Sequence, residues 1–100
     1  MAREREHAAF ARALDLLRQA EAKGLHSREG VDALLFLNRL WSILIEDLAN
    51  AENDLPQPLR AELISIGVWV MRQADLIRLE QSDDFSGIIE VMQSVRKGLA

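Results

Sequence analysis

The side chains that could do chemistry in this chain are two histidines, sixteen carboxylates and twelve Lys or Arg. His7 and His26 lie nineteen positions apart. Neither has a His or Glu four residues away to make the paired-ligand helix of a zinc site. Adjacent acids occur as Glu46/Asp47 and Asp83/Asp84. Paired carboxylates can share general acid and base work, but both pairs sit at expected helix ends, and at a helix start the backbone dipole already accounts for an acid. There is no cysteine, so thiolate metal sites, cysteine nucleophiles and disulfides are excluded. The five glycines are isolated, which leaves no phosphate-cradling loop, and no serine sits in a nucleophile elbow. No catalytic residue, cofactor or metal ligand is expected, and the chain reads as a non-enzyme.

Nucleic acid fits little better. Arg39, Arg60, Arg72 and Arg78 are interleaved with Glu62, Asp75 and Glu80, and tyrosine is absent. A net charge of −4 opposes phosphate backbones and anionic lipid alike. Direct contact with nucleic acid is therefore not expected, and the remaining possibility is recognition of protein.

For that task the informative residues are polar or amphipathic ones set among apolar neighbours. Asn38 lies within a strongly apolar stretch, where an unpaired buried amide costs about 1–3 kcal/mol, so it needs a partner. Trp41 and Trp69 are the two tryptophans, each bringing a large apolar body and one N–H to place. Two readings are open: both are pillars of the core, or one anchors an interface, and in the second Trp41, with Asn38 and Arg39 beside it, has the mixed surroundings of the anchor. Trp69, between Val68 and Val70 and close to Gly67, reads as packing. Asn53, Leu55 and Pro56 make a turn, and Arg60 follows one helical turn in; these residues either only define the corner between the second and third helices, or Arg60 is also expected to meet a partner.

The elements that must position these residues are helical. Sixteen Leu and 13 Ala stand against 12 β-branched residues, all Ile or Val, since Thr is absent. A first helix is expected over about 3–23, with Phe10, Ala13, Leu14, Leu17 and Ala20 forming one stripe and Gly24 closing it. Ser27 caps a second helix over about 28–49, which is apolar on nearly every side through residues 34–45. Such a helix is central in a bundle or has a face that another chain covers. Pro56 and Pro58 open a third helix over about 56–80, whose buried side is Leu59, Leu63, Ile66, Val70 and Ile77. Gly67 inside it implies a close approach of another helix. A fourth, over about 84–98, carries the stripe Phe85, Ile88, Ile89, Met92, Val95 and Leu99 behind an acidic cap. The short connections predict an all-α, single-domain antiparallel bundle over residues 1–100. No stretch is long and apolar enough to cross a bilayer, and no signal-peptide pattern opens the chain, so membrane insertion is not expected and a cytoplasmic location is.

Several of these residues also carry a resemblance. A helix with Asn38-x-x-Trp41, a turn Asn53-Asp54-Leu55-Pro56, a helix start Leu59-Arg60-Ala61-Glu62-Leu63-Ile64-Ser65-Ile66 and a close Trp69-Val70-Met71-Arg72 follow in an order that resembles the FlaF family of flagellar biosynthesis regulators. The last helix, from Ile88 to Leu99, is similar too, although it lacks the asparagine that members often carry there. Members usually have a further segment with a tyrosine before the first helix, whereas this chain is expected to begin near that helix. The resemblance implies a cytoplasmic, chaperone-like, flagellin-binding regulator of flagellum biogenesis that acts in flagellin synthesis and secretion. Flagellin is the implied partner and a FlbT-type regulator a second one. The partner-binding residues so implied are Asn38, Arg39, Trp41, Asn53, Leu55, Pro56, Arg60, Trp69 and Arg72. Two other functions are compatible with the residues: an RNA-binding post-transcriptional regulator of flagellin translation, and a helical module that dimerises through its apolar helices. The chain is expected as a monomer or homodimer.

Overall fold

A computed structural model of the chain describes residues 2–99, with side chains over 4–98. Four helices follow one another: α1 (Ala2–Lys23), α2 (Arg28–Ala49), α3 (Gln57–Arg78) and α4 (Phe85–Leu99). Among the described residues there is no strand. The bundle is all-α, as its composition and periodicity require.

Each boundary has a local cause. Gly24 closes α1 with φ of 97°, a backbone state glycine reaches without a side-chain clash, and its N–H bonds the Ala20 carbonyl at 2.7 Å. The Ser27 hydroxyl accepts from the Gly30 N–H at 3.0 Å and caps α2. Asp84 opens α4 by accepting from the Ser86 hydroxyl at 2.7 Å and the Gly87 N–H at 3.2 Å. Those two bonds, the Ser86 hydroxyl first, hold its carboxyl below its ordinary value.

The third helix ends earlier than periodicity suggests, at Arg78 rather than Glu80. Glu80 takes φ of 61°, and the chain reverses through paired bonds, Gln81 N–H to Leu76 C=O and Glu80 N–H to Ile77 C=O. This is the Schellman arrangement, with glutamate where glycine is usual. The fourth helix starts one residue later than expected, because Asp84 stands outside it as the cap.

Around the bundle α1 packs on α2 and α4, α2 packs on α3, and α3 meets α4 along only a thin seam. The core takes Phe10, Ala13, Leu14, Leu17 and Ala20 from α1; Leu34, Leu37 and Trp41 from α2; Val70, Ala74 and Ile77 from α3; and Phe85, Ile88, Met92 and Val95 from α4. The stripe read on α1 is entirely buried. On α3, Leu63 and Ile66 are only half-buried and Leu59 is exposed, so the buried side is narrower at the start of that helix. The side chain of Leu99 lies outside the described residues.

The tryptophans have exchanged the places expected of them. Trp41 is 1% exposed and stands at the centre of the bundle. Its ring meets Phe10 of α1 edge to face, with centroids 5.6 Å apart, and its Nε1–H donates to Met92 Sδ of α4 at 3.3 Å. Gly67 of α3 lies against the same indole: a Cβ added there would collide with Cε3 and sit 2.9 Å from Cζ3. The indole N–H, for which the sequence named no acceptor, is satisfied by a thioether. Trp69 is 40% exposed on α3. The close approach inferred at Gly67 is real, but it serves Trp41 and not the tryptophan next to it in sequence.

The connection from α2 to α3 is a tightly bonded corner. Asn53 Oδ1 accepts from the Leu55 N–H at 3.0 Å, while its Nδ2 donates to the Asp47 carboxylate at 3.1 Å and the Asp47 carbonyl at 3.3 Å. Arg60 Nε donates to Leu55 C=O at 3.1 Å, and Nη1 donates to the carbonyls of Leu48 and Asn50, both at 3.2 Å. The last turn of α2 has no base of its own, so Arg60 brings the cation that its exposed carbonyls and dipole favour. The guanidinium expected to meet a partner is thus engaged within the chain.

These contacts set the outcome of five substitutions. Gly67→Ala should destabilise by about 1–3 kcal/mol despite a gain in helix propensity, and Trp41→Ala by about 3–5 kcal/mol, both read by denaturant unfolding. Arg60→Ala should cost about 1–3 kcal/mol, with only partial recovery in Arg60→Lys, because an ammonium does not reproduce the fork that spans both sides of the corner. Glu80→Gly should stabilise slightly. It removes roughly 1–2 kcal/mol of left-handed strain against roughly 0.5–1 kcal/mol of added freedom in the unfolded chain, a rise of a few degrees in Tm.

Candidate functional site

A helix in a four-helix bundle buries only part of its circumference, so a helix apolar nearly all round must leave apolar side chains outside. On α2 these are Val31, Leu35 and Ile43, 56%, 55% and 64% exposed, and the first two lie one turn apart on the same face. Across from that pair α3 presents Met71 and Ala74 one turn from each other. The two helices enclose an open groove of about 400 Å³. Leu34 and Ala74 make its floor, Leu25, Val31, Leu35 and Met71 its walls, and His26, Asn38, Asp75 and Arg78 its polar edge. The lining runs from Val31 to Asn38 on α2 and from Met71 to Arg78 on α3, about 10 Å on each, which matches two turns of a third helix.

The edge is charged but balanced. Arg78 pairs with Asp75 at 3.5 Å, Arg28 with Asp32 at 3.8 Å, and His26 contacts Glu80 at 3.1 Å. These exposed pairs add little stability. They do frame an apolar slot with polar groups, the composition of a peptide-binding groove.

Of the residues marked from sequence, Asn38 lines this groove. It is exposed, so its amide is solvated and needs no buried partner. Arg39, Trp69 and Arg72 are also exposed, but outside the groove lining. Trp41 is core. Asn53, Leu55, Pro56 and Arg60 build the corner at the opposite end of α2 and α3, so the nine residues do not form one site.

Sequence reasoning missed Val31, Leu35, Met71 and Ala74. The signal for the first two was present as an i, i+4 apolar pair on a helix with too much apolar surface. Met71 and Ala74 become groove residues only once the packing of α3 on α2 is known.

Among the described residues no three His, Cys, Asp or Glu side chains cluster as metal ligands, and no helix is long and apolar enough to cross a membrane. The lowered Asp84 carboxyl has its cause in the cap of α4.

No curated protein and no solved structure matches the chain. The family model for the flagellar protein FlaF, in contrast, matches residues 1–99 of the 100-residue chain. The match takes in all four helices, the corner held by Arg60 and both walls of the α2–α3 groove, and the chain belongs to the FlaF family of flagellar proteins.

Proposed function

We propose that this chain is a flagellin-binding adaptor, acting in the cytoplasm by binding and not by catalysis. It covers an apolar helical face of flagellin before export. The observation that supports this reading is the α2–α3 groove, with Val31 and Leu35 more than half exposed at its wall. Flagellum filaments are built from subunits whose terminal segments are amphipathic helices, and unpaired apolar faces of that kind self-associate in water. A groove two turns long receives such a helix through anchors at i, i+3 or i+4 and i+7. Occupied and free protein differ in the surface they offer, which gives a FlbT-type regulator a way to sense flagellin level.

Co-purification from cells that also express flagellin tests the reading. Wild-type protein should retain flagellin equally at low and high salt, because groove burial is apolar and phosphate-type contacts weaken steeply with salt. Val31→Glu combined with Leu35→Glu should lose capture while Tm changes by only a few degrees, since surface substitutions usually cost within about 0.5 kcal/mol each. Failure of wild-type protein to retain flagellin would remove the function. Full capture by the double variant would remove the groove.

A further inference from the structure

On the side of the bundle away from that groove, α1 and α4 frame an open cleft of about 520 Å³. Its lining is unlike the rest of this acidic protein. Arg18 comes from α1 and Arg96 and Lys97 from α4, with His7 at the edge and the neutral donors Gln93 and Ser94 between them. Glu90 is the acid in the lining, so three full positive charges face one negative charge. None of Arg18, Arg96 and Lys97 forms an ion pair with a described residue. Arg96 is half-buried, and its Nε is shut off from solvent with no acceptor among the described residues.

The helix dipole explains part of this. Bases in the last turn of α4 are favoured there, and Arg96 and Lys97 occupy that turn. It does not explain Arg18, which stands in another helix, nor a guanidinium held half-buried with a donor that bonds nothing. Donors brought from two helices toward one cleft suit an anion with acceptor atoms in several directions. A planar carboxylate satisfies a single guanidinium fork, whereas a tetrahedral oxyanion can accept from three cations mounted separately.

We propose that the α1–α4 cleft binds a phosphate-type oxyanion, either free or carried on a nucleotide. Arg18, Arg96 and Lys97 supply the charge, Ser94 and Gln93 add neutral donors, and Glu90 weakens the site and keeps it selective for the more highly charged anion. The site is independent of the α2–α3 groove and of flagellin.

The test follows the arginine side-chain Nε–Hε resonances of the intact protein during titration at constant ionic strength. The probes are inorganic phosphate, AMP, adenosine and, as control, chloride. A saturable shift of the Arg96 resonance with phosphate or AMP, and none with adenosine or chloride, is expected. Tighter binding of AMP than of phosphate assigns the nucleotide as source, and equal or weaker binding assigns the free anion. Arg18→Gln combined with Lys97→Gln should weaken binding by roughly tenfold or more, and Glu90→Gln should tighten it several-fold. All three side chains are exposed, so the fold is retained, and the unchanged amide spectrum of α2 and α3 reports this. A shift that fails to saturate, that chloride reproduces, or that persists in the double variant would overturn the proposal.

Discussion

The indole of Trp41 meets each of the other three helices, and the bundle is arranged around that contact. Phe10 presents its ring to it from α1, Met92 accepts its N–H from α4, and α3 leaves out a side chain at Gly67 to let it in. The buried donor would be costly without the thioether, and the close approach would be impossible with any residue larger than glycine. These three demands fix which turn of each helix faces the centre. They also explain a glycine that local propensity alone would disfavour in the middle of α3.

Much of this architecture was legible from the chain because it is written locally. Stripes at three- and four-residue spacing located the core of α1 and α4, and Gly24 and Ser27 marked the break between α1 and α2 to the residue. The end of α3 was less legible, since Glu80 occupies a left-handed position that residue type does not announce. The two tryptophans were misplaced for a related reason. Arg39, two residues from Trp41, and Val68 and Val70, next to Trp69, point to other faces of their helices, so they say little about where the indole itself goes. What decides it is a residue 26 positions away, Gly67, which only the folded chain brings to Trp41.

The recognisable family pattern divides along the same line. Trp41, Asn53 and Arg60 are bonded or packed inside the chain, and they hold a central pillar and a corner in place. Asn38, Arg39, Trp69 and Arg72 are left at the surface. A sequence signature thus mixes residues that build the scaffold with residues free to meet something else, and spacing does not separate the two kinds. Hydrogen-bond accounting does: three carbonyls converge on Arg60, whereas the Asn38 amide has no internal bond among the described residues.

The thin seam between α3 and α4 has a consequence for motion. Because α3 is secured chiefly along α2, its release from α4 breaks fewer contacts than any comparable separation in the bundle. Amide protons of α3 should therefore exchange with solvent through a partial opening, before those of α1 and the adjoining half of α2. The α2–α3 groove owes one wall to this same helix, and a ligand seated there binds only while α3 stays helical and docked on α2, which an opening that exposes the α3 amides must undo. By mass action such a ligand suppresses the opening, so occupancy of the groove is communicated along α3 to the far corner as slower exchange.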